Sequence, residues 1–229
     1  MSTAAQPEYL GYFHNQGLNI IANSPGFPSL TSNDVYEIAV ENAVKIFPGE
    51  ATLTTADLQT LLSYLNSGDN LTTIVQHLIN DYTVPTVLQP YFYSIVNTLD
   101  SSYDFFKVIL AFNELENEIL ADGELTVDQK NNLLACTVIA RHSIWYWTDQ
   151  WNNPSSPWYI SKLASIGQNG GGIDFFSKKK PCGTGLGLFL CFDTIAVIIA
   201  IVVTGGGAGL GSVIYVSAVV SSFLGASHS

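Results

Sequence analysis

The sequence has few charged residues, and positive charge is especially scarce. Only 12% of the 229 residues are charged, with 8 Lys or Arg against 19 Asp or Glu and a net charge of −11. A soluble domain of average composition has about 25% charged residues. So acidic a chain is excluded from the class of proteins that bind nucleic acid through a basic face. Hydrophobic residues make up 47% of the chain, which excludes disorder by low hydrophobicity.

Cysteine is also scarce. Cys136, Cys182 and Cys191 show no C-x-x-C spacing, so the sequence indicates neither a zinc site nor a disulfide framework. We expect free apolar cysteines, with a Cys182–Cys191 disulfide as the alternative. No Lys or Arg precedes Lys45 and no apolar run opens the chain, so we expect synthesis in the cytoplasm without a signal peptide. Membrane association, or export by a dedicated system, remains open.

No set of catalytic or metal-binding residues is recognisable. The four histidines, His14, His77, His142 and His228, are scattered along the chain. A Ser/His/Asp or Cys/His arrangement would have to be assembled from distant positions, and no third metal ligand accompanies Glu114 and Glu118. We therefore expect a protein that is not an enzyme and holds no metal ion.

One glycine-rich segment resembles a cofactor-binding motif. Residues 202–211 are similar to the nucleotide-binding turn of short-chain dehydrogenases, in which glycines follow an apolar strand. That turn opens a βαβ unit with an acidic residue about 20 positions later. Only eighteen residues follow Gly211, with no acid among them. We expect no cofactor.

From Thr31 onward the sequence contains many signals for the starts and ends of helices. Apolar residues recur at helical spacing between capping residues and Pro-Gly or Ser-Gly breaks, and Thr126-x-x-Gln129 is a capping box. Pro85 is expected to start a helix that Pro90 interrupts or restarts. Residues 8–30 mix aromatics with Asn, Gly and Pro, and predict an irregular N-terminal arm. The fold class predicted is all-α, a multi-helix bundle.

Charge divides the chain into unequal parts. Residues 1–177 hold five basic and eighteen acidic residues, whereas residues 178–229 hold three lysines and one acid, Asp193. We therefore predict an acidic helical body over 1–166, a Gly/Lys linker over 167–180 and an apolar Gly-rich hairpin over 181–229.

The predicted hairpin consists of two apolar runs, 186–203 and 210–224, about 27 and 22 Å long as helices. The glycines Gly205, Gly206, Gly207 and Gly209 join them. Lys178, Lys179 and Lys180 stand at the entrance, where they would contact anionic headgroups. These seven residues and Asp193 are the candidate membrane-contact residues.

Three interpretations of the hairpin remain open. It is a membrane-inserting unit sheltered by the body, a permanently buried core, or an interface between copies of the chain. Asp193 is central to the first, because a buried carboxylate needs a partner or a proton and protonation eases entry into lipid. Asp193→Asn is therefore predicted to insert at higher pH than the parent, and Asp193→Lys to block insertion.

Two segments carry a resemblance to known proteins. The segments 12–19 and 139–147, followed by a Gly-rich tail, resemble uncharacterised helical proteins encoded in Bacteroidota genomes. Those proteins imply no activity for this chain. The architecture of a helical body with an apolar C-terminal hairpin resembles colicin-type pore formers and Gly-rich bacteriocin tails. The apolar pair of segments, the lysines at its entrance and the acidic body that would keep it soluble together predict a membrane-active, pore-forming or bacteriocin-like bacterial effector; the alternative is a non-enzymatic binding or self-assembly protein.

Overall fold

The protein is all-helical in a computed structural model that describes residues 6–100, 104–161, 186–207 and 209–228. Within these ranges it forms nine long helices and a short helical segment over 157–161. The long helices are α1 (Pro7–Ala22), α2 (Ser32–Ile46), α3 (Thr55–Leu65), α4 (Leu71–Asp81), α5 (Gln89–Asp100), α6 (Phe105–Ala121), α7 (Val127–Asn152), α8 (Leu186–Val203) and α9 (Gly211–His228). The predicted all-α class is confirmed.

Local capping chemistry sets several helix starts. The predicted capping box of Thr126 and Gln129 opens α7, and equivalent boxes open α2 and α3. In each, the threonine side chain accepts a bond from the N3 backbone N–H and the N3 side chain accepts the return bond. The prediction that Pro85 starts a helix was wrong, because residues 86–88 form a turn. Helix α5 begins at Gln89 with Pro90 in its first turn, where a missing N–H costs nothing, so the structure agrees with the predicted restart at Pro90.

The prediction of an irregular N-terminal arm was wrong, because residues 7–22 form the four-turn helix α1. Its buried side includes Leu10, His14, Leu18 and Ile21, which recur every three or four residues and so lie on one helical face. The glycines that made this segment look irregular are sites of close approach. A Cβ on Gly11 would lie 2.4 Å from Cδ2 of His142 on α7.

Helices α8 and α9 form the predicted hairpin and lie at the centre of the bundle. They pack against each other, with α7 and α3–α5 against α8 and with α1 and α2 against α9. Almost every described side chain from Cys191 to Ile201 and from Gly211 to Leu224 is buried. The hairpin and the surrounding helices share one hydrophobic core. The change in charge after residue 177 therefore does not separate two independent cores. The predicted linker, 167–180, lies outside the described residues.

The end of α7 is fixed to α9 by aromatic packing. Trp147, Trp151 and Trp158 are buried and stack or pack edge-on with each other, and the Trp158 ring lies 6.4 Å from that of Phe223 on α9. Trp145, by contrast, is 61% exposed.

The cysteines differ from the expectation of three free thiols. Cys136 is free and buried, but Cys191 at the centre of the bundle is disulfide-bonded. Its partner lies outside the described residues.

The turn between α8 and α9 connects two helices, so the context required for nucleotide binding is absent there. Gly205, Gly206 and Gly209 all have positive φ, between 66° and 80°, which glycine adopts without strain. The turn is held by the side chain of Asn132 on α7, whose Nδ2 donates to the carbonyl of Gly206 at 2.9 Å. Glu50 accepts the backbone N–H of Ser212 at 3.1 Å and so satisfies one free donor at the start of α9.

Candidate functional site

The most unusual site in the described structure is the carboxyl group of Asp193, buried near the middle of α8. Its side chain is 0% exposed. Two hydroxyls from different helices hydrogen-bond to it: Ser143 Oγ of α7 to Oδ2 and Ser222 Oγ of α9 to Oδ1. Asp193 therefore links the hairpin to α7 as well as linking its two helices to each other.

A histidine from a fourth helix completes the cluster. His14 on α1 is also 0% exposed, and its Nε2 lies 3.1 Å from Ser222 Oγ and 3.5 Å from Asp193 Oδ2. Its Nδ1 lies 3.0 Å from Oδ1 of Asn15, an atom that only accepts, so Nδ1 carries a hydrogen. Asn15 in turn donates to the carbonyl of His142 at 3.2 Å. We call Asp193, His14, Ser143 and Ser222 the buried polar cluster.

Burial shifts both titratable members of the buried polar cluster towards their neutral forms. Loss of solvation raises the pKa of Asp193 to about 7, although hydrogen bonds from Ser143, Ser222 and Ser221 act in the opposite direction. The pKa of His14 is lowered to about 4, mainly by loss of solvation and in part by the nearby His142, although hydrogen bonds with Asn15 and the carbonyl of Ala218 act in the opposite direction. The neutral forms are favoured because an unpaired charge is costly in a core of this kind.

A second group of charges lies beside the cluster, at the surface where α1, α6 and α7 meet. Arg141 donates two hydrogen bonds to Glu116, at 2.9 and 3.1 Å, and one to Glu8 at 3.1 Å. His142 Nε2 lies 3.7 Å from the other oxygen of Glu8. Burial lowers the pKa of His142, while Glu8 opposes that effect. These residues connect α1 to α7 on the solvent side of the buried polar cluster.

Serine, histidine and aspartate are the residue types of a hydrolytic triad, but their geometry here is different. In a triad the carboxylate accepts from Nδ1 of the histidine while Nε2 faces the serine. Here Nδ1 faces Asn15, both serines bond to one carboxyl, and all four side chains are 0% exposed. The buried polar cluster fixes four helices relative to one another. Among the described residues, no group of three or more His, Cys, Asp or Glu has the geometry of a metal site.

The predicted membrane-contact residues fall into three groups. Asp193 is at the centre of the buried polar cluster. Gly205, Gly206, Gly207 and Gly209 form the interhelical turn, in which Gly205 and Gly207 are exposed. Lys178, Lys179 and Lys180 lie outside the described residues.

Sequence reasoning missed His14, Ser143 and Ser222. A signal was present for His14, because it lies four residues from both Leu10 and Leu18 and so shares their apolar helical face. The serines carried a weaker signal, as small polar residues inside apolar runs.

The chain matches no protein-family model, no curated protein and no solved structure. In the part of the chain that the structure describes, no helix is both long enough and apolar enough to cross a membrane.

Proposed function

We propose that this is a membrane-active protein that stores its α8–α9 hairpin inside a shell of amphipathic helices and inserts that hairpin into a lipid bilayer when the bundle opens. The observation that carries the proposal is the central burial of two consecutive helices whose described side chains are mostly apolar and almost all buried. A helix of this type is found in the core of a large protein or in a membrane.

The arrangement along the chain supports a hairpin that leaves as one unit. Helices α1–α7 all lie within residues 7–152, and both hairpin helices lie within 186–228. Because no other helix lies between α8 and α9 along the chain, the two hairpin helices can leave the bundle together while α1–α7 stay in place.

The apolar side chains lose little free energy if they move from the core into lipid instead of water. Removing Ile195, Ile198 or Val219 from the core into water would cost about 1.5–3 kcal/mol each. Moving them into lipid hydrocarbon costs far less, because lipid tails are as apolar as the leucines of the core. A bilayer is thus the environment into which this hairpin can move without exposing its surface to water. The proposal requires the paired helices to embed in the bilayer together, and does not require either to cross it alone.

Polar contacts that hold the hairpin in the bundle include the buried polar cluster, the Asn132–Gly206 bond at the turn and the Glu50–Ser212 bond at the start of α9. Small residues along α9, including Ser217 and Ala218, let the two helices remain closely packed in lipid. Lys178, Lys179 and Lys180 are proposed to contact anionic headgroups.

The test uses a fluorophore in the hairpin turn of the full chain. Gly207→Cys places a thiol at an exposed turn position with no atom within 4 Å, and Gln59→Cys places the matched control on the exposed face of α3. Each variant carries an NBD label and is mixed with phosphatidylcholine vesicles, with and without phosphatidylglycerol. We expect a blue shift, and quenching by doxyl-labelled lipid, at position 207 but not at 59, together with release of a trapped dye.

Two results would contradict the proposal. Position 207 staying in water while no dye escapes, from pH 7.5 to 4, would leave the hairpin as a permanent core. A stable oligomer in size-exclusion chromatography that has no effect on vesicles would instead favour the self-assembly alternative.

A further inference from the structure

Below neutral pH, the buried polar cluster already contains the proton that Asp193 needs. Ser222 has a single hydrogen, yet its Oγ lies within hydrogen-bond distance of both Asp193 Oδ1 and His14 Nε2. A protonated Asp193 satisfies both contacts, because the carboxyl donates to Ser222 and Ser222 donates to His14. Ser143 then donates to the other carboxyl oxygen. One proton on the Asp193–His14 pair therefore satisfies the polar atoms of the cluster.

A second proton on the Asp193–His14 pair would add a charge that no partner in the cluster neutralises. It would charge His14, whose Nδ1 already donates to Asn15, and would leave a net positive charge in a site that is 0% exposed. The other groups acting on His14 are the ring of His142 on α7 and the carbonyl of Ala218 on α9. On α8 and α9, Asp193 is the only acidic residue among those described, so no second anion is available there. A buried charge without a counterion is strongly destabilising.

We propose, resting on the function proposed above, that His14 is the acid sensor for hairpin release. Asp193 enters the bilayer in its protonated form and does not set the pH dependence of release. Acid adds the second proton to the pair, the closed bundle is disfavoured, and the hairpin leaves. His14 stays on α1, where water solvates its charge. The carboxyl of Asp193 is neutral both before and after transfer below neutral pH, so it contributes no acid dependence there.

This assignment differs from the one that the sequence alone predicts, in which protonation of Asp193 drives insertion. The burial of His14 against Asp193 moves the acid-sensitive step to the histidine. The released form binds one proton more than the packed form wherever His14 is charged in water but neutral in the bundle, and His14 in the bundle has a pKa of about 4. Release then becomes about tenfold more favourable for each unit fall in pH.

The experiment measures NBD insertion at position 207 between pH 6.5 and 5.5, in the full chain with phosphatidylcholine vesicles. The labelled Gly207→Cys protein is compared with four versions of it that each carry one further substitution: His14→Gln, Asp193→Asn, His77→Gln or His142→Gln. His77 is the matched control because it is a half-exposed histidine on α4, away from the hairpin core. We expect about a fivefold rise in inserted protein for the parent, H77Q and D193N, at least a threefold rise for H142Q, and less than twofold for H14Q.

The outcomes separate this inference from the proposed function. Absence of insertion by the parent at every pH overturns the proposed function and this inference with it. If H14Q inserts with the same acid dependence as the parent, the role of His14 is overturned but the proposed function stands. The same holds if D193N or H142Q, and not H14Q, loses the acid dependence of insertion.

A second measurement covers the case in which H14Q does not fold. In the parent protein without lipid, ¹⁵N chemical shifts of the histidine rings report protonation directly. We expect the His14 ring to remain neutral at pH 5.5, with the exposed ring of His77 as the reference. A His14 ring that is charged at pH 6 in the folded protein would overturn the proposal.

Discussion

Gly17 on α1 lies directly against the phenol of Tyr215 on α9. A Cβ at position 17 would lie 2.7 Å from Oη of Tyr215 and 2.7 Å from Cγ2 of Val219. Only a glycine lets these two helices approach so closely. The contact lies on the same face of α1 as His14, so the position of the buried polar cluster depends on it.

Gly17→Ala is expected to destabilise the protein by about 1–3 kcal/mol, because the added methyl group must push α1 away from α9. Urea unfolding followed by far-UV circular dichroism measures this effect. The matched control is Gly123→Ala, at a turn position with no atom within 4 Å of the added Cβ. Equal stability of G17A and the parent would show that the two helices do not meet in this way.

Ser222→Ala is expected to cost more stability at pH 8 than at pH 5. The hydroxyl helps to hold down the pKa of Asp193, so its loss moves that pKa further above about 7. A group with a raised pKa in the folded state loses stability as the pH rises through that value. We expect a loss of about 1.5–3 kcal/mol at pH 8, where the bond is to a charge, and about 0.5–1.5 kcal/mol at pH 5.

The control for this variant is Ser217→Ala on the same helix. The hydroxyl of Ser217 is buried and has no hydrogen-bond partner within the described part of the structure. Its removal should leave stability unchanged or slightly higher at both pH values. A similar pH-dependent loss in S217A and S222A would refute a specific bond from Ser222 to the carboxyl.

Asp193→Asn is expected to make the folded state acid-sensitive in solution. The pKa of His14 falls from 6.5 to about 4 on folding, so its contribution is complete above pH 6.5 and is lost as the pH falls to 4. In the parent, Asp193 opposes this loss. Its pKa rises from 3.8 to about 7, so its contribution is complete below pH 3.8 and is lost as the pH rises to 7. Relative to the parent, D193N should lose about 1.4 kcal/mol of unfolding free energy per unit fall in pH between 6.5 and 4.

His14→Gln is expected to show the opposite dependence. With the histidine removed, the contribution of Asp193 is no longer compensated, and the variant should become less stable than the parent as the pH rises from about 4 to 6.5. The expected slope is again about 1.4 kcal/mol per pH unit. Denaturant titrations at pH 4.5, 5.5 and 6.5 measure it; parallel curves for H14Q and the parent would mean that the two groups are not linked.

Asn132→Ala is expected to loosen the hairpin turn at a cost of about 1–3 kcal/mol, because it leaves the carbonyl of Gly206 without its partner. Hydrogen exchange should show faster exchange of amides at the start of α9 than in the parent. Unchanged exchange there, with an unchanged unfolding midpoint, would show that Asn132 does not hold the turn.

Much of the fold was predictable from the sequence because its signals are local. The Thr126 cap and the Gly-rich turn act within a few residues, and they gave the correct start for α7 and the correct place for the α8–α9 turn. Helix α1 was not recognised because Gly11 and Gly17 look like helix breakers. Each is required by a side chain more than a hundred positions away, His142 and Tyr215 respectively.

The candidate site was predictable only in part, for the same reason. Asp193 stood out as a lone charge in an apolar run, and its need for a partner or a proton followed from that. Its partners come from α1, α7 and α9, at separations of 29 to 179 residues along the chain. No periodicity within one helix encodes such a meeting of four helices, so the histidine and the two serines emerge only in three dimensions.

The central position of α8 and α9 also sets the order of events during synthesis. The ribosome completes α1–α7, which end at residue 152, before the pair that they enclose, which ends at residue 228. At about 5–20 residues per second, the outer helices wait roughly 4–15 s for the remainder of their core. During that interval the faces of α1–α5 and α7 that pack on α8 and α9 have no partner, and we expect chaperones that bind exposed apolar segments to act on the nascent chain.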